Sequence, residues 1–404
     1  MSSKLPRAPA FPFAREAPFD PPALYRPIRE REPIFPVTLW NGRRAWLLTR
    51  HADIRRVMRD PRFSSEFAHP DFPAVTAARA AVDKQERAFI AMENPAHDHF
   101  RQMFQAEFSI RRMQALVPRI DAIAARLIDE MLAAGPPCDL VEMLAQKFPA
   151  LVMCELFGSP FEDHRFIMQC AAARHGLAQS QTQAVASAQA LVDYCAKLIA
   201  AKEITPGDDM LSRLVEQYVT PGTLERADLA NIGAMLLRAG HDTTANMIAL
   251  GTLLLLEHPT ELLKLRADGS LLNNAVEEML RFLSIVQFVP RRVALEDVEL
   301  DGVGIEAGDG VFGLTPAANR DEAVFANPDE FDITRVPNDH LAFGFGLHHC
   351  LGHVLARFEL RSLFGVLFQR IPSLRCAVSL AEITFKADSQ IYGVYRLPVT
   401  WDKQ

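Results

Sequence analysis

The chain has 404 residues, a length that fits either two or three domains of roughly 150 residues or one large enzyme unit. Hydrophobic residues make up 49% of it and charged residues 23%, a composition that excludes a disordered chain and a coiled coil. Its net charge of -7 has the wrong sign for general attraction to nucleic acid, so we expect no nucleic-acid partner.

The cysteines and the most apolar segments of the chain indicate a cytoplasmic protein. The 6 cysteines lie far apart and show no pairing pattern, as is usual in the cytosol. The proline-rich segment 1–25 contains no apolar run of signal-peptide length. The most apolar run, 247–256, is shorter than the roughly 18 residues that a membrane span needs. We therefore expect a cytoplasmic location and no membrane partner.

The first predicted elements are two short strands, 37–40 and 45–48, on either side of Asn41-Gly42. An Asn-Gly pair accepts the positive φ angles of a tight hairpin turn, so these strands should pair. Apolar residues then recur at three- and four-residue steps, which predicts amphipathic helices over 116–131, 140–157 and 183–200.

The longest predicted element is a helix at about 226–257, which Pro259 should bring to an end. With about 30 residues it would span about 45 Å, enough to cross a whole domain. It is apolar nearly all round, so we expect it to be central and covered on most faces. Polar residues in its middle, at 240–244, therefore need an explanation.

The remaining elements are mixed. A helix near 271–284 is followed by short strands with glycine turns, an irregular stretch at 316–342, a helix after Cys350 and terminal strands near 383–400. Neither a repeat nor a linker separates these parts. We expect one domain over 1–404, mainly α with small β-sheets.

The segment 343–352, FGFGLHHCLG, places one cysteine between glycine-rich backbone and the start of a helix. Free amide groups and the helix dipole should stabilise the thiolate of Cys350, which would suit iron. A buried structural cysteine is the ordinary alternative. Zinc bound by His348, His349 and Cys350 is disfavoured because adjacent residues are poorly placed around one tetrahedral ion.

Three further patterns are weaker by themselves. Ala239–Thr244 puts a glycine, a carboxylate and two hydroxyls into an apolar helix, which indicates either a functional site or a cluster in which Thr243 bonds back to Ala239. Glu278 and Arg281 share one helical face, as do His97 and Arg101, and pairs of this kind are usually solvated surface.

Together these motifs resemble the cytochrome P450 family. Phe343, Gly346, Cys350 and Gly352 match its haem-binding pattern F-x-x-G-x-x-x-C-x-G, and Ala239, Gly240, Asp242 and Thr243 match its pattern A/G-G-x-D/E-T. Similar strings occur along essentially the whole chain, and they are typical of soluble bacterial members of the actinobacterial type. The resemblance implies the cytochrome P450 fold.

The resemblance also implies a cofactor, haem b, and residues that bind it. Cys350 would be the axial iron ligand, Gly344 and Gly352 would let the haem approach the backbone, and Gly240 would loosen the long helix so that dioxygen fits. The resemblance gives four residues for the haem propionates: His97, Arg101, Arg292 and His348. It makes Glu278, Arg281 and Arg335 a structural ion network.

For catalysis, the resemblance gives Thr243 the role of holding dioxygen and ordered water, while Asp242 supplies protons. It implies a monooxygenase that hydroxylates a mainly hydrophobic small molecule. The side chains expected around the substrate are Leu236, Ala239, Val286, Phe288, Val289, Ile391 and Tyr392. The segments 62–92 and 165–190 would form the access lid.

The chain lacks a dinucleotide-binding G-x-G-x-x-G after a strand, so electrons should come from a separate ferredoxin and its reductase. Arg111, Arg112 and Arg357 are the predicted docking patch for the ferredoxin. Two alternatives remain: a nitric oxide reductase of the same superfamily, in which the acid and threonine pair differs, and a haem sensor without catalysis.

Overall fold

The computed structural model describes residues 7–172, 181–387 and 389–402. These residues form fourteen α-helices and ten β-strands. The helices are α1 Tyr25–Arg31, α2 His51–Val57, α3 Ala77–Asp83, α4 Ala96–Gln105, α5 Ile110–Ala134, α6 Lys147–Phe157, α7 His164–Ala172, α8 Gln181–Ile204, α9 Met210–Leu214, α10 Arg226–Glu257, α11 Pro259–Ala267, α12 Leu272–Leu283, α13 Thr315–Ala318 and α14 His353–Arg370. The strands are β1 Ile34–Thr38, β2 Arg44–Leu48, β3 Phe63–Ser64, β4 Cys138–Asp139, β5 Arg291–Ala294, β6 Val298–Leu300, β7 Val303–Ile305, β8 Gly310–Gly313, β9 Arg375–Cys376 and β10 Pro398–Thr400.

The strands form three small sheets. The largest has the order β1-β2-β8-β5-β3, and the others have the orders β4-β10-β9 and β6-β7. The predicted hairpin is present, because β1 and β2 pair antiparallel from Ile34 opposite Leu48 to Thr38 opposite Arg44. Its turn contains Gly42 at a φ of 80°, a conformation that glycine adopts without strain. The mainly α prediction with small sheets is confirmed.

The long helix α10 lies at the centre of the helical part, where it packs against α6, α7, α8, α12 and α14. It begins at Arg226 and ends at Glu257, the bounds expected from the sequence. Pro259 does more than end it, because it occupies the first turn of α11 directly afterwards. None of the helices in the described ranges is both long and apolar enough to cross a bilayer.

The structure brings Glu278, Arg281 and Arg335 together in one buried network. The Arg281 guanidinium donates to both oxygens of Glu278 at 2.7 Å, and Arg335 Nε donates to the same oxygens at 3.1 Å. Arg281 also donates to the carbonyl oxygens of Asn319 and Pro328. This network fastens α12 to the irregular stretch that leads into the segment around Cys350.

The structure describes the two segments predicted to form the access lid to different extents. In the first, 62–92, the buried ion pair of Asp83 with Arg291 at 2.6 Å joins α3 to β5, and Asp83 also pairs with Arg79 of the same helix at 2.8 Å. In the second, 165–190, residues 173–180 lie outside the described residues.

Candidate functional site

A tight loop around Cys350 presents its sulfur at the start of α14. The main-chain N–H of Cys350 donates to the carbonyl oxygen of Phe343 at 2.9 Å, and Gly344 and Gly346 adopt φ angles of 72° and 75°. A Cβ on Gly346 would come within 2.8 Å of the Met58 carbonyl oxygen. The glycines are therefore required by backbone conformation and by the close approach of Met58.

The electrostatics at Cys350 differ from the sequence prediction. Burial raises the pKa of its thiol, and this effect outweighs the Gly352 N–H, Arg101 and Arg357, which stabilise the thiolate. The Gly352 N–H acts in the direction that the sequence predicted, but burial opposes it and is the larger effect. Coordination deprotonates a thiol outright, so a bound metal ion would supply what the protein charges do not.

Four basic side chains predicted for one role converge beside this loop. The centroids of the His97 and His348 rings lie 4.4 Å apart. Burial, followed by the positive charges of Arg292 and Arg101, lowers the pKa of His348 to about 2. Arg101 donates to the His349 carbonyl oxygen at 2.6 Å, and Arg292 donates to that of Arg291 at 2.8 Å. Burial lowers the pKa of Arg292 to about 10.

This cluster has polar groups that an anionic ligand would satisfy. His97 Nε2 is buried and has no hydrogen-bond partner among the described residues. In the same part of the chain, neither Arg101 nor Arg292 forms an ion pair with a carboxylate. Two carboxylates of a porphyrin would provide the missing acceptors, so the residues present fit a haem.

The long helix α10 exposes one short face. Ala239 is exposed and Gly240 and Thr243 are half-buried, although most of the helix is buried. The Thr243 hydroxyl donates back to the Ala239 carbonyl oxygen at 2.7 Å. That bond is the back-bonded arrangement considered for this threonine, and it leaves the side chain on the open face.

Gly240 has a packing role that the sequence did not indicate. It lies inside an uninterrupted helix, and a Cβ there would come within 2.5 Å of Met153 Sδ on α6. The predicted loosening of the helix is therefore absent, because α10 keeps helical geometry through this residue. The glycine instead lets α6 approach α10 closely.

Asp242 is buried at 8% exposure on the adjoining face of α10. Burial raises the pKa of its carboxyl, while Lys386 and a hydrogen bond from Asn246 lower it. Two residues further on, Thr244 donates at 3.2 Å to Glu359 of α14, and burial raises the pKa of Glu359 to about 8. Two buried acids thus flank the Thr243 and Thr244 pair.

The residues predicted around the substrate fall into two groups. Val286 and Val289 are half-buried, and Val286 pairs with Ile391 through a backbone bridge. Leu236 is 7% exposed on α10. These residues and Ala239 remain candidates for contact with a substrate.

Phe288 and Tyr392 do not belong to that group. The Phe288 ring lies 5.5 Å from the Phe11 ring in the core beside the large sheet. The Tyr392 hydroxyl donates to the Pro18 carbonyl oxygen at 2.9 Å, and the Arg15 guanidinium lies 4.2 Å from its ring centroid. Both side chains are at most 2% exposed, so the prediction that they line the substrate site is wrong.

Two of the three predicted docking arginines are already in ion pairs. Arg357 donates to Glu277 at 2.7 and 2.8 Å, and Arg112 lies 3.4 Å from Glu107. Arg111 is exposed. The charges of Arg112 and Arg357 are therefore partly neutralised within the protein, which corrects their assignment as a free basic patch.

Sequence reasoning missed several charged residues near α10. Arg238 pairs with Glu86 at 2.9 Å, and both side chains are at most 10% exposed. The signal was present, because an arginine interrupts the apolar run MLLRAG. Lys386 and Glu359 carried no such signal, since nothing in the sequence places their segments next to α10.

The donor atoms define a class of protein before any comparison. One cysteine sulfur lies beside four basic groups suited to two carboxylates, and the long helix α10 has one open face. No cluster of three or more His, Cys, Asp or Glu side chains suited to a metal ion occurs in the described ranges. This donor set is that of a haem-thiolate protein.

Comparisons with known proteins agree with this class. The family model described as Cytochrome P450 matches residues 177–372. The chain is 44% identical to Cytochrome P450 105A3 from Streptomyces carbophilus, over 98% of this chain and 96% of the relative. It is also 44% identical to Pentalenic acid synthase from Streptomyces avermitilis, over 97% of each chain.

A solved structure gives the same result. The crystal structure of cytochrome P450 MoxA from Nonomuraea recticatena is 42% identical and superposes with a TM-score of 0.91, covering 98% of this chain and 99% of that one. The chain belongs to the cytochrome P450 family, of the bacterial actinobacterial type. It is accordingly a monooxygenase with a haem-thiolate cofactor, which uses dioxygen, a redox partner and a small-molecule substrate.

Proposed function

We propose that the chain is one cytoplasmic domain that hydroxylates a mainly hydrophobic small molecule, with haem b as cofactor and a ferredoxin and its reductase as electron donors. The observation that carries this proposal is the arrangement around Cys350: one sulfur, four basic groups for two carboxylates, and an open face of α10. When bound, the haem supplies the activation of dioxygen and the transfer of one oxygen atom to carbon.

The residues of this chain hold the cofactor in the proposal. Cys350 offers its sulfur to the iron from the start of α14. Arg101 and Arg292 neutralise the propionates, while His97 Nε2 donates to one of them and gains the partner that it lacks among the described protein groups. His348 completes this set through its ring next to His97. Charged and bidentate contacts of this kind are strong in a dry site.

Proton delivery falls to Asp242 and Thr243. Dioxygen activation consumes protons, and a buried acid beside a hydroxyl can pass them from the solvent side. The Thr243 hydroxyl would exchange its bond to the Ala239 carbonyl oxygen for bonds to dioxygen or water. Asp242 would lose a proton through this hydroxyl and regain one from outside.

The substrate would lie against the open face of α10. Ala239 and Leu236 offer apolar contact from the helix, and Val286, Val289 and Ile391 offer it from the segments after α12 and near the C-terminus. An apolar lining with few polar groups fits a mainly hydrophobic ligand. The buried ion pair of Arg238 with Glu86 adjoins Ala239 along that helix.

The electron donor would dock beside the Cys350 loop. Phe345 of that loop lies between Arg55 and Arg59, whose guanidinium groups are each 4.4 Å from its ring centroid. Together with Arg111 these arginines form the revised docking patch, which suits an acidic ferredoxin. Arg59→Glu should slow reduction of the haem at low ionic strength, and salt should remove the difference from the original protein.

The axial ligand is tested in the haem-loaded protein. Reduction under carbon monoxide should give the absorbance typical of thiolate ligation, and Cys350→Ala should abolish it. Cys376→Ala, which changes a half-buried cysteine elsewhere, is the matched control and should leave the spectrum unchanged. A spectrum typical of imidazole ligation in the original protein would overturn the proposal.

Proton delivery is tested by coupling. Thr243→Ala should release more peroxide for each NADH consumed with a surrogate ferredoxin system, while Thr243→Ser keeps the hydroxyl and should stay closer to the original value. Unchanged coupling in Thr243→Ala would remove this residue from the mechanism. Direct oxidation of NADH in the presence of nitric oxide, with no ferredoxin, would favour the nitric oxide reductase instead.

A further inference from the structure

We propose that Lys386 is a positioning residue for proton delivery, which acts on Asp242 through Asn246. This inference rests on the role of Asp242 in the proposed function. It extends that role to a residue of the C-terminal segment, 140 positions away in the chain from Asn246 of α10.

The three side chains form a hydrogen-bonded line. Lys386 Nζ donates to Asn246 Oδ1 at 2.9 Å, and Asn246 Nδ2 donates to Asp242 Oδ1 at 3.0 Å. An ammonium group can only donate, so it requires the oxygen of the amide to face it. The amide nitrogen must then face Asp242. The Asp242 main-chain carbonyl oxygen accepts from the same Nδ2 at 2.7 Å, so Lys386 and this carbonyl together favour the amide orientation in which Asn246 donates to the carboxylate.

The segment that carries Lys386 is built to touch α10 at this place. The main-chain N–H of Lys386 donates to the Gly393 carbonyl oxygen at 2.8 Å, and Phe385 pairs with Val394 across the same turn. A Cβ on Gly393 would collide with Asn246 Oδ1. Gly393 is needed here because the C-terminal turn packs directly on the amide that Lys386 holds.

The charges add to the geometric effect. Burial raises the pKa of Asp242, and Lys386 is the charged group that opposes this most directly among the described residues. Burial lowers the pKa of Lys386, and the negative charge of Asp242 raises the pKa of Lys386. The neighbouring His241 is neutral at pH 7, because burial lowers its pKa to about 4. His164 of α7 also lowers the pKa of His241, and the ring centroid of Tyr395 lies 5.8 Å from Lys386 Nζ.

A proton carrier must lose its proton and regain it in each turnover, so its pKa should lie near the working pH. A buried carboxyl with no nearby cation keeps its proton too firmly. Removing the Lys386 charge should raise the pKa of Asp242. The Asp242 carboxyl then stays protonated up to a higher pH. Proton delivery should therefore become slow below a higher pH than in the original protein.

The experiment uses the haem-loaded protein with its electron-transfer partners. Lys386→Met should move the acidic limb of the turnover profile to higher pH, so that turnover falls by a larger factor at pH 6 than at pH 8. The solvent isotope effect on turnover should increase. Lys386→Arg keeps the charge and should restore most of the activity, and Asn246→Ala should reproduce the Lys386→Met profile by breaking the next link.

Two controls separate the possible failures. Lys197→Met removes one exposed positive charge from α8 and should change nothing. All variants should keep the carbon monoxide spectrum of the original protein, which reports on the Cys350 side of the haem. If Asp242→Asn uncouples turnover but Lys386→Met keeps the original pH profile, this inference is overturned and the proposed function stands. If Asp242→Asn itself has no effect, both the role of Asp242 and this inference are wrong.

Discussion

Two buried clusters of arginine in this protein differ in how their charges are satisfied. In the first, Arg281 and Arg335 surround Glu278, and every oxygen of that carboxylate accepts hydrogen bonds. In the second, Arg101 and Arg292 lie near two histidines and donate only to main-chain carbonyl oxygens in the described part of the chain. Both clusters are largely buried, so the difference is not one of exposure.

The difference separates a structural network from a binding site. A buried charge is tolerated when it is paired and hydrogen-bonded, as Glu278 is. Arg101 and Arg292 accept the cost of burial without a carboxylate partner, which is reasonable only if a ligand brings the negative charge. The comparison therefore supports the proposed position of the haem carboxylates, and it does so without reference to the cysteine.

The largest loss of stability is expected from breaking the ion network of Glu278, Arg281 and Arg335. Glu278→Ala leaves Arg281 buried at 0% exposure without its carboxylate, at a cost of about 3 to 5 kcal/mol. Denaturant unfolding of the variant should show this loss, or the protein should fail to fold. A loss below about 1 kcal/mol would mean that the main-chain acceptors of Arg281 are sufficient.

Removing the buried carboxyl of Glu359 should stabilise the protein, in contrast to removing that of Glu278. Burial raises the pKa of Glu359 from 4.5 to about 8, so folding takes up a proton between these values and stability falls as pH rises through this range. Glu359→Gln cannot ionise and should be more stable than the original protein by up to about 3 kcal/mol at pH 7. The difference should vanish near pH 4.5. Thermal unfolding at both pH values measures it, and a parallel pH dependence in the two proteins would contradict it.

A substitution in the cluster of Arg101 and Arg292 should weaken haem binding more than it weakens the fold. Arg292→Gln removes one expected propionate partner, and the haem should dissociate about tenfold faster, which corresponds to about 1.4 kcal/mol. Transfer of haem to an acceptor such as apomyoglobin measures the rate. Stability of the haem-free protein should be unchanged or higher, because the variant no longer buries an uncompensated charge. Destabilisation of the haem-free protein would place Arg292 with the structural network.

The smallest effect is expected from an exposed pair. Arg126 and Glu130 lie 3.4 Å apart on α5, with both side chains more than 40% exposed. Glu130→Ala should cost only about 0.3 to 0.5 kcal/mol, and salt should remove the difference. A loss comparable with that of Glu278→Ala would mean that burial does not explain the contrast.

Motifs within one segment could be interpreted from the sequence. The loop 343–352 and the polar residues of α10 break local rules, and their departures are visible without a structure. The hairpin at Asn41-Gly42 and the length of α10 follow from turn chemistry and hydrophobic pattern. Phe288 and Tyr392 were misassigned because the sequence does not show whether a largely apolar side chain faces a ligand or the hydrophobic core.

By itself, the amino-acid sequence determined the class of this protein, because the cysteine loop and the acid and threonine pair each lie within a few consecutive residues. Only the tertiary structure decided which charges are paired. It bound Arg357 to Glu277, left Arg292 without a carboxylate among the described residues, and brought Lys386 to the Asn246 amide. Charge pairing depends on distances between segments far apart in the chain, and those distances are set by packing rather than by local pattern.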